Sequence, residues 1–229
     1  ICMSSYKATV QGSDHKRVPK DVSTNPVIIG HEFCGVILQA GSKWRKQFHP
    51  GMKFSIQPAL NLKQNPYAAP GYSFRYIGGS ATHIVIPNEV MEQGCLLEYK
   101  GDAFFYGSLS EPMSCIVGAF HASYHTESGS YIHKMGIREG GKMAILAGVG
   151  PMGLGAIDYT VHADRKPSLL VVTDIDEARL ARAASLYTVE EAQRNGIQLV
   201  YLDTSKTENP VDALVQLTGG AGYDDVFVF

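Results

Sequence analysis

The sequence predicts an α/β protein in two parts: a strand- and turn-rich part over residues 1–118 and a doubly wound parallel sheet over residues 119–229. Three observations carry this. The first half holds short β-forming runs bounded by Pro and Gly. From Met143 onward, strand-like apolar runs alternate with helical stretches at the spacing of βαβ units. A glycine-rich turn, Ala147–Gly153, stands where the first of those strands meets its helix.

In the first part, Val36–Ala40 and Met52–Gln57 read as strands, the second preceded by the turn dipeptide Pro50-Gly51. Ala81–Ile86 is rich in β-formers and stops at Pro87, so it reads as a strand too. Asn61–Tyr76 carries Asn, Pro, Gly and four aromatics and reads as a loop packed by its own side chains. Glu111 is expected where a helix starts, with Pro112 in its first turn.

In the second part, Met143–Val149, Leu169–Thr173, Gln198–Leu202 and Asp225–Phe229 read as strands. Met152–His162, Asp176–Leu186, Thr188–Asn195 and Pro210–Leu217 read as helices. His121–Lys142 reads as an exposed loop. Four strands of the usual six imply a fragment, expected to lack both termini and to turn over no substrate by itself.

Composition narrows the function. A hydrophobic fraction of 45% supplies a core, so disorder is not expected. The net charge of −2 gives no general attraction to nucleic acid or membrane. No run approaches the roughly 18 apolar residues of a membrane span. Cys2, Cys34, Cys95 and Cys115 form no CxxC pair and no disulfide framework, which points to reduced thiols in a cytoplasm.

The glycine turn points to a dinucleotide. Gly148 permits the tight turn, and Gly150 lets the backbone of the Pro151-Met152 helix start approach a pyrophosphate. Gly153 lets helix and strand pack closely. Asp174 ends the next strand roughly 20 residues on, where an acidic residue takes the ribose hydroxyls. Its charge favours NAD(H) over NADP(H). Arg179 is placed to stack on adenine or to soften that preference. Asp176 and Glu177 are expected to cap the following helix.

The metal-ligand types lie far apart. Cys2 offers a thiolate, His31 an imidazole, and Glu32 or Glu111 a carboxylate. Three such ligands leave zinc an open position, as a catalytic site requires. Glu32 is also placed to be a hydrogen-bond partner beside the metal. Cys34 and Cys95 read as core or surface thiols, and Cys115 as core.

Taken together, Ile-Cys-Met-Ser at 1–4, Gly-His-Glu-Phe-Cys-Gly at 30–35 and Gly-Gly-Ser-Ala at 78–81 with Pro87 resemble the zinc-dependent medium-chain dehydrogenases. Glu-Pro-Met-Ser at 111–114 and Gly-Val-Gly-Pro-Met-Gly at 148–153 extend the likeness, and the former is similar to the polyol branch. The resemblance implies a GroES-like catalytic domain followed by a Rossmann domain. It implies one catalytic zinc on Cys2, His31 and a carboxylate, and Ser4 as the hydroxyl that relays the substrate proton. The substrate class it implies is a sugar phosphate or polyol, of the sorbose 1-phosphate and sorbitol 6-phosphate kind, handled by a homo-oligomer (dimer or tetramer). The alternatives are another secondary-alcohol dehydrogenase and a zinc-free, nucleotide-binding redox sensor of the same superfamily.

Three departures matter. Met3 replaces the family's usual Gly. Lys7 stands where a His often ends the relay. No cysteine cluster lies between Gln57 and Tyr76, so a second, structural zinc is not expected. A phosphorylated substrate needs cations, and His15, Lys16, Arg17, Lys20 and Arg75 are candidates.

Overall fold

A computed structural model describes residues 2–229; Ile1 of the Ile-Cys-Met-Ser motif lies outside the described residues. The chain forms two compact units, Ile1–Pro112 and Met113–Phe229.

The first unit begins with helix α1 (Met3–Gln11), which starts directly after Cys2 and ends at Gly12. The sequence does not announce this helix. Only Ser5 and Ala8 of it are buried, so it has no apolar stripe to read. Strands β1 (Cys34–Val36), β2 (Lys53–Ile56) and β3 (Leu96–Glu98) form an antiparallel sheet in that order, with α2 (Asn88–Glu92) before β3. Phe54 sits at its centre, opposite Gly35 on one side and Glu98 on the other. Phe33, Ile37, Phe48, Ile56, Ile77, Val90 and Leu96 close the core around it. A second cluster joins Ala8, Val18, Ala69 and Tyr72. It draws the 61–76 segment onto α1, so that loop packs on a helix as well as on itself.

Two strand expectations are corrected. Beyond Val36 the chain leaves the ladder: Ile37 still bonds Met52, and Gly51 bonds back to Ile37. Residues 81–86 form no strand. Val85 N–H bonds Tyr76 C=O, but no ladder develops from it. β-propensity describes a side chain that fits a pleated surface, and without a neighbouring strand it has no surface to fit.

Helix α3 (Phe104–Ala122) spans the chain position at which the units divide, with Glu111 and Pro112 inside it rather than at its start. Pro112 cannot donate the helical bond to the carbonyl four residues back. In that turn the Ser110 hydroxyl donates to Gly107 C=O at 2.7 Å, and the Ser55 hydroxyl reaches the same carbonyl at 3.0 Å. Both hydroxyls bond the Gly107 carbonyl, one residue before the Ser108 carbonyl that Pro112 leaves without its helical donor. Cys115 is exposed, not core. Ile116 and Phe120, four apart on the buried face, leave Cys115 on another face.

The second unit opens with a two-stranded antiparallel ribbon, β4 (Tyr124–His125) and β5 (Lys134–Met135), inside the segment expected as a loop. Its histidines have internal partners: His125 Nε2 lies 3.1 Å from Asp225 Oδ1, and His133 stacks on Tyr124 at 4.1 Å. Then follow β6 (Lys142–Leu146), α4 (Pro151–His162), β7 (Leu169–Asp174), α5 (Glu177–Leu186), α6 (Val189–Arg194), β8 (Gln198–Asp203), α7 (Pro210–Leu217) and β9 (Asp225–Val228). The four long strands are parallel in the order β8-β7-β6-β9. The chain steps outward from β6 to β8 and returns to the other side of β6. The gap between β6 and β9 is therefore a topological switch point, where such sheets bind ligands.

β6 and β7 are buried on both faces, which explains their unbroken apolar runs. Ile145, Leu170, Val171 and Val172 have no exposed surface. Three helices are capped as their sequences ask: Asp176 accepts from Arg179 N–H, Thr188 from Glu191 and Asn209 from Asp212. Leu170→Ala is expected to cost about 2–5 kcal/mol of stability, read by denaturant unfolding. A loss near zero would show that the site collapses around the smaller side chain.

Candidate active site

The metal-ligand residues converge through main-chain constraints. Cys2 caps α1, and its carbonyl accepts from Ser5 and Tyr6. This fixes the thiol beside the first turn. The second arm is the turn Gly30-His31-Glu32. Gly30 adopts φ +104°, which only glycine takes without strain. Its N–H bonds Gly71 C=O, and its carbonyl accepts from Gly79. Gly71 approaches so closely that a Cβ on it would lie 2.2 Å from the Gly30 oxygen.

The result brings one ligand atom each from Cys2, His31 and Glu32 within 4.8 Å of one another. Among the described residues this is the one such group of three. Glu111, inside α3, does not belong to it, so the carboxylate in the group is Glu32. Thiolate, imidazole and carboxylate are the donor set that suits zinc, and three protein ligands leave room for a fourth.

His31 is held in detail. It is buried, and its Nδ1 lies 3.1 Å from Ser5 Oγ. With Nδ1–H donating to Ser5, the Nε2 lone pair is left for a metal. Burial pushes the His31 pKa below its usual value; Glu32 pulls it up, and Arg17 pushes it down. The neutral, metal-binding ring is therefore favoured. Tyr72 OH stands 3.5 Å from Nε2 and 2.6 Å from Ser4 Oγ, and Ser4 Oγ stands 3.0 Å from Cys2 Sγ. Burial raises the Tyr72 pKa, so its phenol stays protonated. Ser5 and Tyr72 are neighbours of the candidate metal group that sequence reasoning misses. Their contacts with His31 span 26 and 41 residues of chain, and no local pattern encodes such pairings. The remaining thiols stand apart: Cys34 donates to Phe104 C=O at 2.8 Å, Cys95 lies in the core, and burial pushes both up towards the thiol form.

The glycine turn is built as its spacing asks. Gly148 N–H bonds Thr173 C=O at 2.9 Å, tying the turn to the end of β7. A Cβ on Gly153 would lie 2.2 Å from the Gly148 oxygen, so the first turn of α4 rests directly on that backbone. Gly150 is the N-cap, followed by Pro151 and the partly buried Met152. A Cβ on Gly150 would meet nothing within 4 Å. The space before the helix N-terminus is open, as a pyrophosphate needs. Asp174 ends β7, and its Oδ1 accepts from Ile175 and Asp176 N–H at 2.8 and 3.1 Å. The Arg179 side chain lies 3.3 Å from Asp176 Oδ2.

Ser5→Ala removes the partner of Nδ1 while leaving all three ligand residues in place. Zinc affinity of the full-length protein, measured by chelator competition, is expected to fall about 10–100-fold. Unchanged affinity would show that this bond does not set the ring.

Residues 2–94 match the alcohol dehydrogenase GroES-like domain. Over all 229 residues the chain is 53% identical to L-sorbose 1-phosphate reductase of Klebsiella pneumoniae and 51% identical to mannitol-1-phosphate 5-dehydrogenase of Aliivibrio fischeri, and it covers 54% of each. It thus spans about half the length of the curated relatives it matches. Among solved structures, a Sinorhizobium meliloti 1021 protein classed as a zinc-binding dehydrogenase and solved with NADP shares the fold. The TM-score is 0.67 at 21% identity, over 100% of this chain and 59% of that one. The glycine turn, the Cys-His-Glu group and these likenesses agree: the chain is similar over its whole length to sugar-phosphate reductases and dehydrogenases, and its first part matches an alcohol dehydrogenase GroES-like domain.

Proposed function

We propose that this chain is the metal- and coenzyme-binding portion of an oxidoreductase that moves hydride between a nicotinamide coenzyme and a sugar phosphate or polyol. The observation that carries the reading is the Cys2, His31 and Glu32 group, with the Ser4 hydroxyl against it. The names of the two sugar-phosphate relatives support the substrate class. In this reading, residues 1–118 serve the substrate and residues 119–229 the coenzyme.

Cys2, His31 and Glu32 would hold zinc, and Ser5 would keep the imidazole in the binding tautomer. When bound, zinc supplies Lewis acidity towards the substrate oxygen, and the nicotinamide supplies or takes the hydride. Ser4 Oγ takes the proton of the substrate hydroxyl during oxidation and returns it during reduction. Tyr72 OH, at 2.6 Å, accepts from Ser4 or donates to it as the proton moves. Lys7 lies on the exposed side of α1 and is not in this chain of hydroxyls. In the second unit, the backbone at Gly150–Met152 binds the pyrophosphate, and Asp174 accepts the ribose hydroxyls.

Full-length protein is expected to contain one zinc per chain. Cys2→Ser and His31→Ala should lose metal and activity together, as read by elemental analysis and hydride-transfer assay. Two tightly held zincs, or turnover by a metal-free variant, would contradict this reading.

Asp174 favours NAD(H), because a carboxylate beside a 2′-phosphate is a like-charge contact that costs several kcal/mol. Asp174→Ala should move the ratio of kcat/KM for the two coenzymes towards NADP(H) by about tenfold or more. An unmutated enzyme that already prefers NADP(H) by a wide margin would overturn the assignment.

A further inference from the structure

We propose that Arg17, with Lys16 beside it, holds the phosphate group of the substrate. The inference rests on the sugar-phosphate reading of the site and names the residues that would recognise that substrate.

The geometry converges on one aromatic ring. The hydroxyl of Tyr72 touches Ser4 and stands 3.5 Å from His31 Nε2, so one end of the residue borders the metal group. The Arg17 guanidinium lies 5.7 Å from the centroid of the same ring, and the His15 ring stacks on it at 5.7 Å with planes 8° apart. One side chain therefore stands between the cation and the reacting centre, a gap that a few sugar carbons bridge. Lys16 Nζ lies over the neighbouring Tyr67 ring at 5.1 Å.

The cations are held in place by their surroundings. Val18 is buried with Ala8, Ala69 and Tyr72 beneath the segment. Ser73 Oγ donates to Arg17 C=O at 2.7 Å, Arg17 Nη1 donates to Tyr67 C=O at 3.1 Å, and Arg17 N–H donates to His15 Nδ1 at 3.2 Å. A guanidinium with one donor engaged by a carbonyl keeps others for a phosphate, whose oxygens its planar fork fits.

Charge points the same way. Among the described residues, neither Arg17 nor Lys16 has a carboxylate ion-pair partner. His15 is pushed below its usual pKa by burial, then by Arg17 and Lys16, which keeps it a neutral stacking partner. Of the candidate cations, Arg17 is the one over the Tyr72 ring, whereas Lys20 Nζ donates to Ser13 C=O and Arg75 lies over Tyr76.

The test uses the full-length, zinc-loaded enzyme with L-sorbose 1-phosphate, L-sorbose and NADH. In Arg17→Ala, KM for L-sorbose 1-phosphate should rise about 10–100-fold, the range of a lost charge-assisted hydrogen-bond set. The kinetics with L-sorbose and the KM for NADH should stay as they were, and Arg17→Lys should recover part of the loss. Calorimetry with inorganic phosphate should detect binding to the unmutated protein and none to Arg17→Ala. If Arg17→Ala does not fold, the exposed Lys16→Ala should show the same selective rise, smaller in size. A rise in KM for NADH instead would assign Arg17 to the coenzyme's phosphates and overturn the proposal. Equal losses with L-sorbose 1-phosphate and L-sorbose would show a structural role and overturn it too. An unmutated enzyme that does not distinguish the two sugars would remove the sugar-phosphate reading itself; a preference that survives both substitutions would remove only the role of Arg17 and Lys16.

Discussion

The main-chain bonds at Gly30 hold the first unit's chemistry in place. One runs to Gly71 and one comes from Gly79, and between them they fix a residue whose backbone is in the left-handed region. That conformation turns the chain so that His31 enters the interior and Glu32 faces Cys2. Gly71 bonds back to Ile77, which has no exposed surface, so the clamp is seated on the core of the unit. The same segment carries Tyr72 to His31. A side chain on Gly71 would push this apart at once, because it would occupy the space of the Gly30 carbonyl. The site is thus placed by backbone hydrogen bonds, and the side chains only complete it.

The second unit is legible in the sequence almost strand by strand, and the first is not. Parallel βαβ units are written locally: an apolar run, a glycine turn, a capped helix, the next run. Asp176, Thr188 and Asn209 each announce a helix within three residues, and each accepts the expected N–H. In the first unit the informative contacts are distant. Ala81–Ile86 carries the composition of a strand without a ladder to join. Helix α1 carries no apolar stripe, because what fixes it is the Cys2 carbonyl and one small buried face. Pro112 misleads because proline is far commoner in a first helical turn than in an interior, where it leaves the carbonyl four residues back without its helical donor.

The candidate metal residues show the same division. Residue type and family likeness are enough to single out Cys2, His31 and two carboxylates. Choosing between Glu32 and Glu111 needs the fold, because it depends on where a helix begins. Ser5 and Tyr72 are beyond reach for a simpler reason. A serine in a polar stretch and a tyrosine in an aromatic loop look ordinary until they are seen beside the imidazole. Their effect is on orientation and protonation, and nothing in residue identity encodes either.

The position of β9 has a consequence for how the chain folds. β6 lies inside the sheet, yet one of its two neighbours is the last strand of the unit, with Met143 opposite Asp225. The segments that pair β6 with β7 and β7 with β8 are close in sequence and can assemble as the chain emerges. The remaining edge of β6 stays bare until some eighty residues later, when β9 arrives. Non-local parallel pairing of this kind forms slowly and leaves an apolar strand edge open meanwhile. During synthesis, the strand that leads into the glycine turn is therefore open to off-pathway association, and the delay is set by topology rather than by the stability of the finished sheet.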